Sequence, residues 1–233
     1  MNRLFTIWIL QTFVALGYGQ TLGISHVAAT AEDYVLLLET KGYRAFAFDI
    51  TSLRDATYRI EPIIHHYQYG KLVPNEIELS VRFSSRDMLA TKDEEYVKQM
   101  RKAGRIYDEQ NGILSLCEKI RVGFAPSSQQ NIRMMHFHVT DRGNYTIPLC
   151  FEPQIDLRTG LEAEEYNYGF LPFVVDEIVM DTFIPLAMCG AYWYDEHTES
   201  FRFCGEDVLS EDMTEEILKD VKEYYIIGMK VHR

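Results

Sequence analysis

Ile132-Arg133-Met134-Met135-His136-Phe137-His138-Val139, then Thr140 and the turn Asp141-Arg142-Gly143-Asn144, then Tyr145-Thr146-Ile147-Pro148-Leu149-Cys150-Phe151: this stretch decides the fold. Two runs rich in β-branched and aromatic residues flank a turn built from Asp, Gly and Asn, the pattern of an antiparallel hairpin. The same pattern spreads in both directions. Tyr43–Ile50 alternates, with Phe46, Phe48 and Ile50 on one face. Tyr58–Tyr67 and Ile77–Phe83 read as strands joined through Gly70-Lys71 and Pro74-Asn75. Ile113–Phe124 is another strand, Phe183–Tyr194 with Phe201–Cys204 another hairpin, and Tyr224–Val231 a closing strand.

Three short helices interrupt the strands. Thr30-Ala31-Glu32-Asp33 forms a capping box ahead of Tyr34–Leu38, with Gly42 as the stop, although five apolar residues in a row also fit a buried strand. Thr91-Lys92-Asp93-Glu94 is a second capping box. The stripe Tyr96, Val97, Met100, Ala103 and Tyr107 follows it at helical period, with Lys98, Arg101, Lys102 and Arg105 toward the end that favours cations. The third helix runs from Met213 to Glu223, capped by Asp212, with Ile217, Leu218, Val221 and Tyr225 as its apolar stripe. Pro62, Pro148 and Pro185 fall inside strand-like runs and belong at edges or bulges, because Pro donates no ladder hydrogen bond. Antiparallel hairpins must bury one face, so the expected fold is a β-rich α+β domain, sandwich-like, with two to three short helices.

Composition fits a folded domain and narrows its partners. Of the 233 residues 47% are apolar and 25% charged, which excludes a disordered chain, a collagen and a membrane bundle. A formal net charge of −12 gives a poor footing on phosphate backbones, so no nucleic acid is expected as partner. Met1-Asn2-Arg3 precedes an apolar run from Leu4 to Leu16, too short to span a bilayer and suited to a secretory leader. Gly17-Tyr18-Gly19 supplies small residues for cleavage before Gln20. Residues 1–19 are therefore read as a signal peptide and 20–233 as a single β-rich domain, exported to the periplasm or outside the cell without membrane insertion. The Gly17-Tyr18-Gly19/Gln20 junction resembles the export signals of Bacteroidetes-type bacteria. The rest of the chain is similar in texture to their small exported proteins of unknown function, a resemblance that carries no site residues with it.

The chain has no Gly-rich phosphate loop, no His-Glu-x-x-His, no nucleophile elbow and no Cys-x-x-Cys pair, which lowers the odds of the commonest nucleotide, zinc-protease and hydrolase classes. No cofactor is assigned. His136 and His138 lie two apart, so in a strand both imidazoles face one side and form half of a metal site. Asp141 adjoins them, and His65 or His66 is a candidate third ligand from another strand. A solvated pair of histidines is the plainer reading. Glu162, Glu164, Glu165, Asp176, Glu177 and Asp181 form an acidic crowd, read as solvated surface. Tyr67 and Tyr69, Tyr166 and Tyr168, and Tyr192 and Tyr194 put two rings on one face if extended, and with Trp193 they are candidates for stacking on a glycan or a partner protein. Burial as ordinary sheet core is the preferred alternative. In an oxidising compartment Cys189 and Cys204 become a candidate disulfide, placed opposite each other if Tyr194 faces Glu199 across the hairpin. Taken together these residues favour a non-catalytic binding or interaction module for an unknown protein or glycan. A metal-dependent hydrolase at His136/His138 and a carbohydrate-binding module are the alternatives.

Overall fold

Pairing runs unbroken through the hairpin, from Gly143 opposite Val139 to Cys150 opposite Ile132. The computed structural model describes residues 35, 38–74, 77–79, 81–156, 159–163, 165–195, 200–202 and 207–233. Its principal strands are Arg44–Asp49 (β1), Arg59–Gln68 (β2), Lys119–Pro126 (β3), Ile132–Val139 (β4), Gly143–Cys150 (β5), Tyr168–Val174 (β6), Ile184–Ala191 (β7) and Glu223–His232 (β8). The helices are Glu94–Lys102 (α1) and Ile217–Asp220 (α2), and Leu38–Thr40 is also helical.

Two sheets stack. The smaller has the order β1-β3-β4-β5. The larger runs from Leu209–Ser210 through β6, β7 and β8 to β2, whose outer side is lined by Lys71–Leu72, Ile77–Glu78 and Phe83–Ser84. Every pairing in the two sheets is antiparallel except that of β6 with Leu209–Ser210. Between the sheets lie Ile120, Val122, Met135, Phe137 and Val139 from the smaller one and Ile60, Ile64, Ala187, Ile227 and Val231 from the larger, all fully buried. Each of these side chains larger than that of Ala187 contributes about 1.5–3 kcal/mol relative to exposure. The far face of the large sheet is covered as well: Met188 and Ile226 pack beneath Ile217, Leu218 and Val221 of the α2 region. The sandwich-like α+β fold expected from the alternation is present, with a second, smaller core behind it.

The three prolines sit where a missing N–H is tolerated. Pro148 is on β5, the edge of the small sheet. Pro62 falls between the residues of β2 that pair with Ile77–Glu78 and those that pair with Phe83–Ser84. Pro185 stands at the bulge where β7 shifts register against β8.

Helix ends differ from the sequence reading for local reasons. The Thr30–Asp33 box lies outside the described residues. Its expected stop is present: Gly42 has φ +79, Tyr43 N–H reaches Leu38 O and Gly42 N–H reaches Glu39 O, a Schellman closure. In α1 the cap is Asp93 rather than Thr91, and its carboxylate accepts from Tyr96 N–H at 2.7 Å. The helix also ends early, because Gly104 at φ +64 closes it before Tyr107 through Arg105 N–H to Met100 O. α2 is only four residues long, and Asp212 caps Thr214 in a turn ahead of it instead of starting the helix. Tyr225, assigned to that stripe, belongs to β8.

Three long strands in the sequence reading are divided. Ile77–Phe83 is two short segments. Ile113–Leu116 leaves β3 to pair with Arg86–Met88. Phe183–Tyr194 breaks at Tyr192, whose N–H turns to Asn167 O, so Trp193–Asp195 forms its own ribbon with Ser200–Arg202.

Gly228 on β8 has no room for a side chain: a Cβ there would lie 2.4 Å from Ile184 O and 2.5 Å from the Phe183 ring. Gly228→Ala is expected to lower unfolding free energy by about 3 kcal/mol, the upper end for overpacking. Adding Phe183→Ala should not restore it, because the Ile184 carbonyl remains. Denaturant midpoints of the single and double variants check both statements.

Candidate functional site

Beside β1, residues of both sheets and of the segment before β7 line a pocket of about 580 Å³. Its floor is apolar, made by Ile184 and Leu186 of β7 and Met229 of β8, with Phe48 and Leu53 at the side. Val175, Ile178 and Met180 roof it, and Asp49, Asp176 and Glu177 stand at its rim. The lining holds neither His nor Cys. The rim follows from short-range sequence rules. Asp49 accepts from both the N–H (2.8 Å) and the hydroxyl (2.7 Å) of Thr51, an Asx turn that bends the chain from β1 into the 3-10 turn Thr51–Asp55. Those two hydrogen bonds, helped by Lys119, hold the Asp49 carboxyl below the usual carboxylate range. Asp49 therefore presents a negative charge at neutral pH.

The roof is fastened to the last strand. Asp181 has φ +59, a conformation Asp adopts more readily than most residues, and its N–H donates to Val231 O at 2.9 Å. Its carboxylate lies 2.5 Å from His232 Nδ1, while His232 Nε2 lies 3.0 Å from Glu61 Oε2. Arg82 Nε donates to the same Glu61 oxygen at 2.9 Å. Both ring nitrogens of His232 therefore face carboxylates. The clamp thus holds the Val175–Phe183 segment over the pocket.

A second polar cluster ties the sheets together at the other side. Glu223, buried at 6% exposure, lies 2.9 Å from His66 Nε2 and accepts from Glu152 N–H at 2.6 Å. The His66 ring stacks on Tyr225 at 4.2 Å, and Tyr225 Oη donates to Cys150 O at 2.5 Å. These contacts join β2, β8 and the end of β5.

His136 and His138 do share a face, as alternation requires, but it is the outer face of the small sheet, since Met135, Phe137 and Val139 take the inner one. His136 Nδ1 lies 2.9 Å from Thr146 Oγ1, and Arg121 Nη1 lies 3.3 Å from His138 Nδ1. His65 and His66 sit on the other sheet, so the expectation that either joins the pair is corrected: the sandwich core separates them. Among the described residues no three His, Cys, Asp or Glu side chains are grouped to hold a metal ion.

The tyrosine pairs are divided by strand ends. Tyr67 stacks on Tyr224 at 4.9 Å, whereas Tyr69 is 69% exposed in a turn at φ +51, so the two do not share a strand face. Tyr166 and Tyr168 are core residues. Arg133 lies over the Tyr168 ring at 4.2 Å, and Tyr168 Oη donates to Gln130 O. Trp193 pairs by its backbone with Arg202.

The basis for a Cys189–Cys204 bridge is also corrected. Tyr194 faces Phe201, not Glu199, which shifts the hairpin by two residues. Cys189 lies between Phe170 and Tyr225 on a strand paired on both sides. Cys204 lies outside the described residues. Cys117, Cys150 and Cys189 are free thiols, of which only Cys150 is exposed.

The pocket residues were not legible as a site. Asp49-Ile50-Thr51 signals a turn, and Asp176 and Glu177 stand out as acidic, but nothing in the sequence places them around one cavity. Fold and site together define a two-sheet sandwich with an open, acid-rimmed mouth. The chain belongs to the family described as a domain of unknown function (DUF5041), which matches residues 17–233. No curated protein and no solved structure matches it.

Two measurements check this description. Native protein treated with a maleimide at neutral pH should be labelled at Cys150, while Cys117 and Cys189 stay unlabelled until unfolding. Burial shields those two thiols and raises their pKa, which depletes the reactive thiolate. Replacing His232 by Ala should raise amide exchange at Asp181 and lower stability by about 1 kcal/mol; unchanged exchange would show that the roof does not depend on the clamp.

Proposed function

We propose that the protein is an exported, non-catalytic binding module whose ligand seats in the pocket between β1 and the Val175–Phe183 segment. The observation that carries this reading is the pocket itself, with an apolar floor and carboxylates only at its rim. Such a surface suits a ligand with an apolar body and a positive end. The two alternatives from the sequence have less support. His138 has a guanidinium beside it rather than a third metal ligand, and the buried rings of Tyr166 and Tyr168 offer no free face to a sugar. Export rests on the leader-like residues 1–19. No helix among the described residues is long and apolar enough to cross a membrane.

The probe that tests the pocket is phenylethylammonium, followed by methyl-resolved NMR. Saturable shifts are expected at Ile178, Met180, Ile184 and Met229, and Ile178→Trp, which fills the pocket, should weaken binding at least about tenfold, or 1.4 kcal/mol. No saturable binding, or shifts centred elsewhere, overturns the assignment. Export is checked separately: protein recovered from its own host should begin at Gln20, and an intact Met1 terminus removes that part of the reading.

A further inference from the structure

We propose that the β1 edge is a docking rail for an extended, basic-apolar segment of a partner protein, which adds to the small sheet as a fifth strand and sends alternate side chains into the pocket. This rests on the pocket reading above and names the class of partner.

The ladder shows which backbone groups of β1 have no strand partner among the described residues. Ile50 N–H donates to Glu118 O, and the β1–β3 register keeps the same residue sum from Arg44/Phe124 to Asp49/Lys119. In an antiparallel pair hydrogen-bonded positions alternate, so Phe46 and Phe48 bond toward β3. Ala45, Ala47 and Asp49 turn their N–H and C=O groups to the open side. The β3–β4 pairing agrees: Thr140 N–H donates to Lys119 O, which assigns the odd residues of β3 to β4 and leaves the even ones to β1.

Other long edges are protected. β5 carries Pro148, and three short strands line the outer side of β2. β1 has no proline, no bulge and no charge between Arg44 and Asp49. Exposed, unprotected edges of this kind recruit strands.

The surroundings fit a strand on both of its faces. Phe48 and Asp49 lead into the 580 Å³ pocket on the inner side. On the outer side Leu38, Tyr43, Ala45 and Gly123 line a mainly apolar pocket of about 380 Å³. The small Ala45 and Ala47 side chains leave room beside them. Asp49, Asp176 and Glu177 at the inner rim select Lys or Arg at the ends of the incoming segment. A second copy of this chain, with net charge −12, brings the wrong sign.

The test uses the full protein and the peptide acetyl-Lys-Val-Thr-Val-Thr-Val-Lys-amide. Binding should slow hydrogen exchange at the Ala45, Ala47 and Asp49 amides at least about tenfold while Phe46 and Phe48, already bonded to β3, change little. Ala45→Pro removes an outward N–H without breaking the β3 ladder and lies outside the lining of the 580 Å³ pocket, so it should abolish peptide binding while phenylethylammonium still binds. Should that variant fail to fold, alternate N-methylation of the peptide asks the same question of the wild-type protein and should also abolish binding. Asp176→Asn with Glu177→Gln should weaken the peptide about fivefold, the sum of two exposed charge pairs. Exchange slowed equally at odd and even residues, or binding insensitive to N-methylation, overturns the strand. So does protection of the odd amides before peptide is added, whether by a second copy at high concentration or by the chain itself. If phenylethylammonium binds and the peptide does not, the pocket stands and the rail falls; if neither binds, both fall.

Discussion

Everything in this molecule depends on two strands that are apolar on both faces. β7 is buried at all eight positions and β8 at eight of ten. A strand of that kind cannot lie on a protein surface, so each face of the large sheet needs a cover. The small sheet covers one face through Phe124, Met135 and Phe137. The short α2 helix and its flanking turns cover the other through Ile217, Leu218 and Val221. Gly228 shows how tight the second cover is, because the Phe183 ring and the Ile184 carbonyl occupy the space where a side chain would stand. The same Phe183 ring stacks on His65 at 3.9 Å, which extends that cover across to β2.

Polar clusters stand at two margins of the large sheet. At one margin buried Glu223 is satisfied by His66, Gln68 and the Glu152 N–H; an unpaired carboxylate there would be expensive. At the other, His232 sits between Asp181 and Glu61 and fixes the roof of the pocket. The pocket lies beside β1, which is an edge of the smaller sheet among the described residues.

The odd and even residues of β1 have different roles for the same reason. Its even side chains, Phe46 and Phe48, close the core. Its odd residues Ala45, Ala47 and Asp49 are small or acidic, are exposed, and direct their backbone groups to the open edge. A strand at the free side of the smaller sheet therefore joins packing on one face with an open ladder at its edge.

Much of this was legible in the sequence. Period-two alternation at Tyr43–Ile50 and the strand pattern at Ile132–Val139 identify strands because side-chain direction is a local property of an extended chain. Gly42 marks a helix end because the left-handed conformation it adopts is intrinsic to glycine. Proline placement at 62, 148 and 185 follows from the missing N–H. What could not be read is everything set by contacts far apart in the chain. Glu223 meets His66 across 157 residues, and Asp176 reaches the same rim as Asp49 only after both sheets have formed. Ile113–Phe124 looks like one strand, yet the chain divides it because Arg86–Met88 and Arg44–Asp49 offer different ladders to its two halves. Tyr166 and Tyr168 alternate as well as any exposed pair, and only packing against Phe151 and Arg133 buries Tyr168. Alternation, caps and turns are decided within a few residues, so the sequence alone determined that this is a β-rich sandwich. Strand order, the face each histidine takes and the pocket at the mouth depend on which distant ladder and which distant side chain is available, and only the tertiary structure decided them.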